Sequence, residues 1–336
     1  MARIGFGLRV WGWLTRRQLS AATMSEAAII ALQGRRVPAN VVTNWLFGTV
    51  PPGVGVSDRS VPGPGGQIPV RVYQPAACES GDRPLVVYFH GGGFVFGSLD
   101  LGNWMCGTAA ARVGAVVVSV DYRLAPKHRF PAAVEDCYAA LAWAADNAGE
   151  LGAAGPIGVM GESAGGTLAA VMCLLARDRG GPAIRHQALV YPAADMTDAR
   201  ENGHAGLCWL AGDDPRTPDR QDAPFLSAAE MAAYKRHYLG PDGDPADPRA
   251  SPLLAADHSG LPAALIQVAE HDPLRPDGKR YAAALRAAGV PVRLTEYVGV
   301  PHGFVNFPGL SRAAGQAMAE ICAEQSEALD AGRAVR

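Results

Sequence analysis

The sequence predicts an α/β fold, a mostly parallel central sheet with helices packed on its flanks. Two observations point there. Short apolar runs of strand type alternate with longer helical patterns over most of the 336 residues, as in a chain built from βαβ units. The stretch Ile157–Thr167 (I-G-V-M-G-E-S-A-G-G-T) passes from an apolar run through Gly161-Glu162-Ser163-Ala164-Gly165 into a small-residue helix. Strand, tight turn and helix form the context in which G-x-S-x-G holds a nucleophile. Such a turn leaves no room for side chains two residues either side of the serine, and glycine lacks the Cβ that would clash.

Taken in order, residues 1 to about 50 read as helical, with Met24–Leu32 the clearest piece and Pro38 a break. Val54–Gly66 is rich in Gly and Pro and reads as a connector. Gln67–Gln74 alternates apolar and polar residues, as an edge strand of a half-solvated pair does. Leu85–Phe89, Ala115–Val120, Ile157–Met160, Gln187–Tyr191, Ala264–Val268 and Val292–Tyr297 are the further strands. Helical patterns separate them at Asn103–Val113, Ala132–Ala148, Ala164–Arg177 and Asp277–Ala288. Residues 195–250 interrupt the alternation with Asp- and Pro-containing turns and short helical pieces such as Ser227–Tyr238. An excursion of that length between core strands is usually functional, a lid for example.

Composition narrows the class. Thirty Lys and Arg stand against thirty-two Asp and Glu, with no basic stripe, so nothing suggests a nucleic-acid surface. No apolar run approaches the ~20 residues a membrane span needs. Ile4–Leu14 is apolar but interrupted by Arg9, with no clear small-residue cleavage site close behind it. An amphipathic helix covering the protein is the preferred reading, and contact with a membrane surface is the alternative. The six cysteines are scattered without a C-x-x-C pair, which favours reduced thiols and a cytoplasmic setting.

In an open parallel sheet, functional residues gather at the carboxyl ends of the strands. The run after Leu85–Phe89 is His90-Gly91-Gly92-Gly93-Phe94. Attack of a serine on a carbonyl puts negative charge on oxygen, and that charge needs N–H donors aimed at it in advance. Consecutive glycines let the backbone come close, and the N–H of Ala164 completes such a hole. His90 itself reads as a structural hydrogen bonder. Of eight histidines, His302, just past the last strand, is the choice for the base, with His271 the competitor. Asp272, just past Ala264–Val268, is the choice for the acid that orients the imidazole, with Glu270 and Asp277 as alternatives. The chain order Ser163, Asp272, His302 is that of the α/β-hydrolases and differs from other serine triads.

These pieces resemble the hormone-sensitive-lipase-like group of α/β-hydrolases, the microbial family IV carboxylesterases. The resemblance rests on His90–Phe94, Asp121-Tyr122-Arg123-Leu124-Ala125-Pro126, Phe130-Pro131-Ala132-Ala133, Gly161–Gly166, Asp272-Pro273-Leu274-Arg275 and His302-Gly303-Phe304. It implies an α/β-hydrolase core in 51–194 and 251–336, with a helical cap from 1–50 and the insertion 195–250. It further implies hydrolysis of short- to medium-chain carboxylic esters, oxyanion donors at Gly91, Gly92 and Ala164, no cofactor and no metal. A homodimer through the edge strand Val292–Tyr297 is a further implication. The alternatives are an amidase, formamidase or peptidase on the same triad, or a ligand receptor on this fold. In such receptors the catalytic histidine is replaced, whereas His302 is present here. Two departures stand out: Lys127-His128-Arg129, where an acidic residue commonly precedes the histidine, and Glu162, where Asp is commoner. Trp11, Trp13, Trp45, Phe47, Trp209 and Phe225 are candidates to shape the acyl pocket.

Overall fold

The structure is a computed structural model describing residues 4–16, 20–35, 37–75, 83–197 and 225–330. Among the described residues, eight strands form one sheet: β1 Gly55–Gly63, β2 Gly66–Gln74, β3 Leu85–Phe89, β4 Val116–Val120, β5 Ile157–Glu162, β6 Ile184–Val190, β7 Ala263–His271 and β8 Val292–Pro301. Their order is β1-β2-β4-β3-β5-β6-β7-β8. β2 runs antiparallel to both its neighbours, and every pairing from β4 to β8 is parallel. The mostly parallel sheet is therefore as the alternation predicts.

The strand period explains the two helical layers. Along β3, Leu85, Val87 and Phe89 face one side, and Val86 and Tyr88 face the other. The first face packs against α5 (Ala132–Asp146), α6 (Ala164–Asp178) and the helix Arg275–Ala287. The second packs against α4 (Asn103–Val113) and the last helix, Arg312–Asp330. Because both faces are covered, β3 and β4 are buried at every residue, which is why they read as unbroken apolar runs.

The segment expected as a connector, Val54–Gly66, is largely strand β1. It pairs with β2 along its whole length, from Gly55↔Gln74 to Gly63↔Gly66, across the two-residue turn Pro64-Gly65. Most of its side chains face solvent, so it carries no alternating apolar signal. With only one neighbour to bond, an outer strand also tolerates Pro62. Gln67–Gln74 is accordingly the second strand, not the edge. The C-terminal helix is likewise absent from the elements that the sequence predicts. Its buried residues Ala314, Ala317, Met318, Ile321, Cys322, Gln325 and Leu329 do follow a helical period, but several are small or polar.

Among the described residues, three short helices precede the sheet: α1 (Phe6–Arg16), α2 (Glu26–Leu32) and α3 (Val41–Phe47). The segment between α1 and α2, with Glu26 of α2, is tied to the helix Ala228–Leu239, whereas α3 leaves Val41, Val42 and Trp45 exposed. The Ser20 hydroxyl donates to Glu230, Ala21 N–H donates to the other Glu230 oxygen at 3.1 Å, and Arg129 pairs with Glu26 at 2.7 Å. The unusual Lys127-His128-Arg129 segment thus supplies a surface ion pair between the core and α2. Residues 198–224 of the insertion, including Trp209, lie outside the described residues, as does the side chain of Trp13.

Leu168 sits on α6 with no exposed surface, in the layer that backs the nucleophile turn. Leu168→Ala is expected to lower the unfolding free energy by about 2–5 kcal/mol, measured by urea denaturation followed by far-UV circular dichroism.

Candidate active site

Ser163 is the single residue between the last residue of β5 and the first of α6. Its φ of 56° and ψ of −122° are a strained conformation for a residue with a side chain. Two close approaches enforce it. A Cβ on Gly161 would stand 2.3 Å from the Gly165 carbonyl oxygen, and a Cβ on Gly165 would stand 2.0 Å from that of Phe89. Both clashes are with backbone, so no side-chain rearrangement relieves them. The Ser163 N–H is anchored on the Val190 carbonyl at 2.9 Å, which fixes the turn against β6.

His302 follows β8, and its ring reaches across the strand ends. Nε2 lies 2.9 Å from Ser163 Oγ, and Nδ1 lies 2.7 Å from Asp272 Oδ2. A carboxylate only accepts, so Nδ1 carries the proton and Nε2 is left to accept from the serine hydroxyl. Asp272 is fully buried at the end of β7, and its Oδ1 accepts from the Leu274 N–H at 2.8 Å. The Tyr191 ring packs against the imidazole at 4.6 Å between centroids.

The competing residues are engaged elsewhere. Glu270 accepts from the Gly299 N–H at 2.8 Å, and His271 faces Glu270 at 3.8 Å. Asp277 lies in the first turn of the helix Arg275–Ala287, accepts from Ala194 N–H and pairs with Arg280. The structure therefore brings together the three residues singled out from sequence.

His90 is buried and structural. Its Nδ1–H donates to the Gly91 carbonyl at 2.8 Å, its ring stacks on Tyr122 at 4.3 Å, and the Tyr122 hydroxyl donates to the His90 carbonyl. Burial pulls its pKa down to about 4, so the ring is neutral at ordinary pH. The Asp121–Pro126 segment thus acts as a brace for the glycine loop.

The glycine loop corrects one expectation. The Gly91 N–H donates to Glu162 Oε1 at 2.7 Å, so it is not available to a bound oxyanion. Among the described residues, the N–H groups of Gly92, Gly93 and Ala164 have no protein acceptor. Gly92 has φ 116° and Gly93 φ 63°, and both line the pocket with Ser163 and Ala164. Counting forward from the histidine does not reveal which N–H groups face the cavity, because the bond to Glu162 depends on the fold.

The cavity over Ser163 has a volume of about 380 Å³. Its wall includes Phe94, Phe225, Met231, Tyr234 and Phe307. Three of the aromatic candidates converge on Phe307, which sequence reasoning missed: Trp11 at 6.4 Å, Phe47 at 5.7 Å and Phe225 at 5.4 Å between centroids. Of the described candidates only Phe225 lines the cavity; Trp11 and Phe47 back Phe307 from behind, and Trp45 is 57 % exposed. Among the described residues, no group of three or more His, Cys, Asp or Glu side chains has the arrangement of a metal site.

A family model described as alpha/beta hydrolase fold matches residues 86–306, which contain Ser163, Asp272 and His302. The chain is an α/β-hydrolase of the hormone-sensitive-lipase-like group. Among curated proteins, this hydrolase is 43 % identical to Esterase LipI of Mycobacterium tuberculosis over 80 % of each chain. It is 36 % identical to an Arylesterase of Saccharolobus solfataricus, over 73 % of this chain and 76 % of that one. Among solved structures, the hyperthermophilic esterase from Pyrobaculum calidifontis superposes with a TM-score of 0.79 at 37 % identity, covering 97 % of this chain and 99 % of the other.

Gly165→Ala is expected to give a protein whose melting temperature falls and whose Ser163 no longer reacts with a fluorophosphonate probe. Thermal denaturation and gel-based labelling of the same preparation check the two effects.

Proposed function

We propose that this α/β-hydrolase is a serine carboxylesterase that cleaves short- to medium-chain carboxylic esters through an acyl-enzyme. The hydrogen-bonded chain from Ser163 through His302 to Asp272 is the observation that carries the reading. His302 takes the hydroxyl proton as Ser163 Oγ attacks the ester carbonyl, and Asp272 holds the tautomer and balances the imidazolium. The tetrahedral oxyanion is bound by the N–H groups of Gly92, Gly93 and Ala164. His302 then protonates the departing alcohol, and water repeats the sequence on the acyl group.

The acyl chain lies in the cavity against Phe225 and Phe307, whose size supports a small or medium group. A cap formed by 1–50 and 195–250 over the core 51–194 and 251–336 fits the contacts of Ser20 and Ala21 with Glu230, together with the presence of Met231 and Tyr234 in the wall. Among the described residues no helix is long and apolar enough to cross a membrane. Cys106, Cys137, Cys173 and Cys322 are buried free thiols, which supports a cytoplasmic setting. β8 is the last strand of the sheet, and its open edge supports a homodimer through Val292–Tyr297.

Ser163→Ala is expected to lower kcat for p-nitrophenyl butyrate by about 10⁴-fold or more with the fold retained. Activity near the wild-type level would overturn the assignment. Asp272→Asn, which leaves the imidazole in the wrong tautomer, is expected to cost about 10⁴-fold in kcat, by analogy with the serine proteases. Across p-nitrophenyl esters of increasing acyl length, kcat/KM is expected to peak at a short or medium chain, and Phe307→Ala is expected to move the peak to longer chains.

A further inference from the structure

Glu162 is the one charged-type side chain of the nucleophile turn, and the mechanism above gives it no step. It is 1 % exposed, immediately precedes Ser163 and aims Oε1 at the Gly91 N–H at 2.7 Å. The approach is close on the other side too: a Cβ on Gly91 would lie 2.9 Å from the Glu162 carbonyl oxygen and 3.1 Å from Oε1. Gly91 begins the glycine loop, and its neighbours Gly92 and Gly93 hold the free donors. A buried carboxyl is costly to keep unless it is used, because it must be desolvated.

We propose that Glu162 is a positioning residue that ties the oxyanion loop to the nucleophile turn. Its side chain grips the loop at Gly91 while its backbone carries Ser163, so donors and nucleophile are set relative to each other by one residue. The bond also turns the Gly91 N–H away from the cavity, which leaves the next two to face the substrate oxygen. This rests on the serine-esterase reading above.

The loop contact asks for an acceptor at Oε1, while the carboxyl also faces the Tyr88 hydroxyl. The titratable groups facing Glu162 are Tyr88 on β3, Cys106 on α4, Tyr122 after β4 and Tyr191 after β6, all neutral at ordinary pH because burial raises their pKa values. Burial pushes the Glu162 carboxyl up to about 7, and the Gly91 N–H works against that rise. An amide oxygen meets the same requirement, so Glu162→Gln separates acceptance of the hydrogen bond from charge.

The test compares E162Q with E162L, which fills a similar volume and offers no acceptor, on p-nitrophenyl butyrate. Removing an oxyanion donor outright costs about 10²–10³ in kcat. A loop that loses its tether is expected to cost E162L about 10- to 100-fold in kcat, with KM changed less than about twofold. E162Q is expected to stay within about fivefold of wild type. A trifluoromethyl ketone, which forms an oxyanion on Ser163, is expected to bind E162L more weakly in proportion to the loss in kcat/KM. Should E162L not fold by circular dichroism, E162M takes its place. A folded E162L or E162M with wild-type kcat overturns the proposal, and so does an E162Q as impaired as the apolar variant. Ser163→Ala keeps the two readings apart: if it retains activity the serine mechanism fails, whereas an inactive S163A beside a fully active E162L removes only the role of Glu162.

Discussion

The site depends on one crowded contact, where the start of α6 lies against the end of β3. Gly165 touches the backbone oxygens of Phe89 and His90, which are the last residue of the strand and the first of the glycine loop. That approach sets the distance between the serine turn and the donors. A methyl group at Gly165 would push the two apart by more than a hydrogen bond can stretch. The strained φ of Ser163 follows from this geometry, since the chain has to reverse within one residue to enter a helix packed so tightly. The strain is held by parallel strands buried on both faces, which deform little.

Much of this is legible in the amino-acid sequence because each active-site residue sits at a break in periodicity. An apolar run that stops at glycine, as β3 does at His90-Gly91, announces both the strand end and the room for a ligand. The order of serine, acid and histidine carries further weight, and the three side chains do meet. The correction at Gly91 shows the limit. Which of three adjacent N–H groups faces the cavity is decided by Glu162, a residue seventy-one positions away, and no local pattern records it. The edge strand β1 is hidden for a different reason. A strand that buries almost nothing has no hydrophobic rhythm, and its place is set by backbone pairing with β2.

A third difference lies in the pocket wall. Phe307 follows the histidine loop by five residues and stands out neither by motif nor by period. Its importance comes from what meets there: a ring from α1, one from α3 and one from within the insertion. Aromatic packing of this kind is long range in sequence, and only the tertiary fold assembles it.

That assembly has an evolutionary consequence. The residues that do the bond-breaking belong to strand ends held by the sheet, while part of the cavity wall, Phe225, Met231 and Tyr234, arrives on a segment outside it. Substitutions at those wall residues change the space offered to an ester without touching Ser163, Asp272 or His302, and α1 and α3 act only indirectly, through the packing of Trp11 and Phe47 on Phe307. Selectivity and chemistry thus rest on different residues of this chain, so new substrates can be reached by drift in the cavity wall without passing through an inactive ancestor.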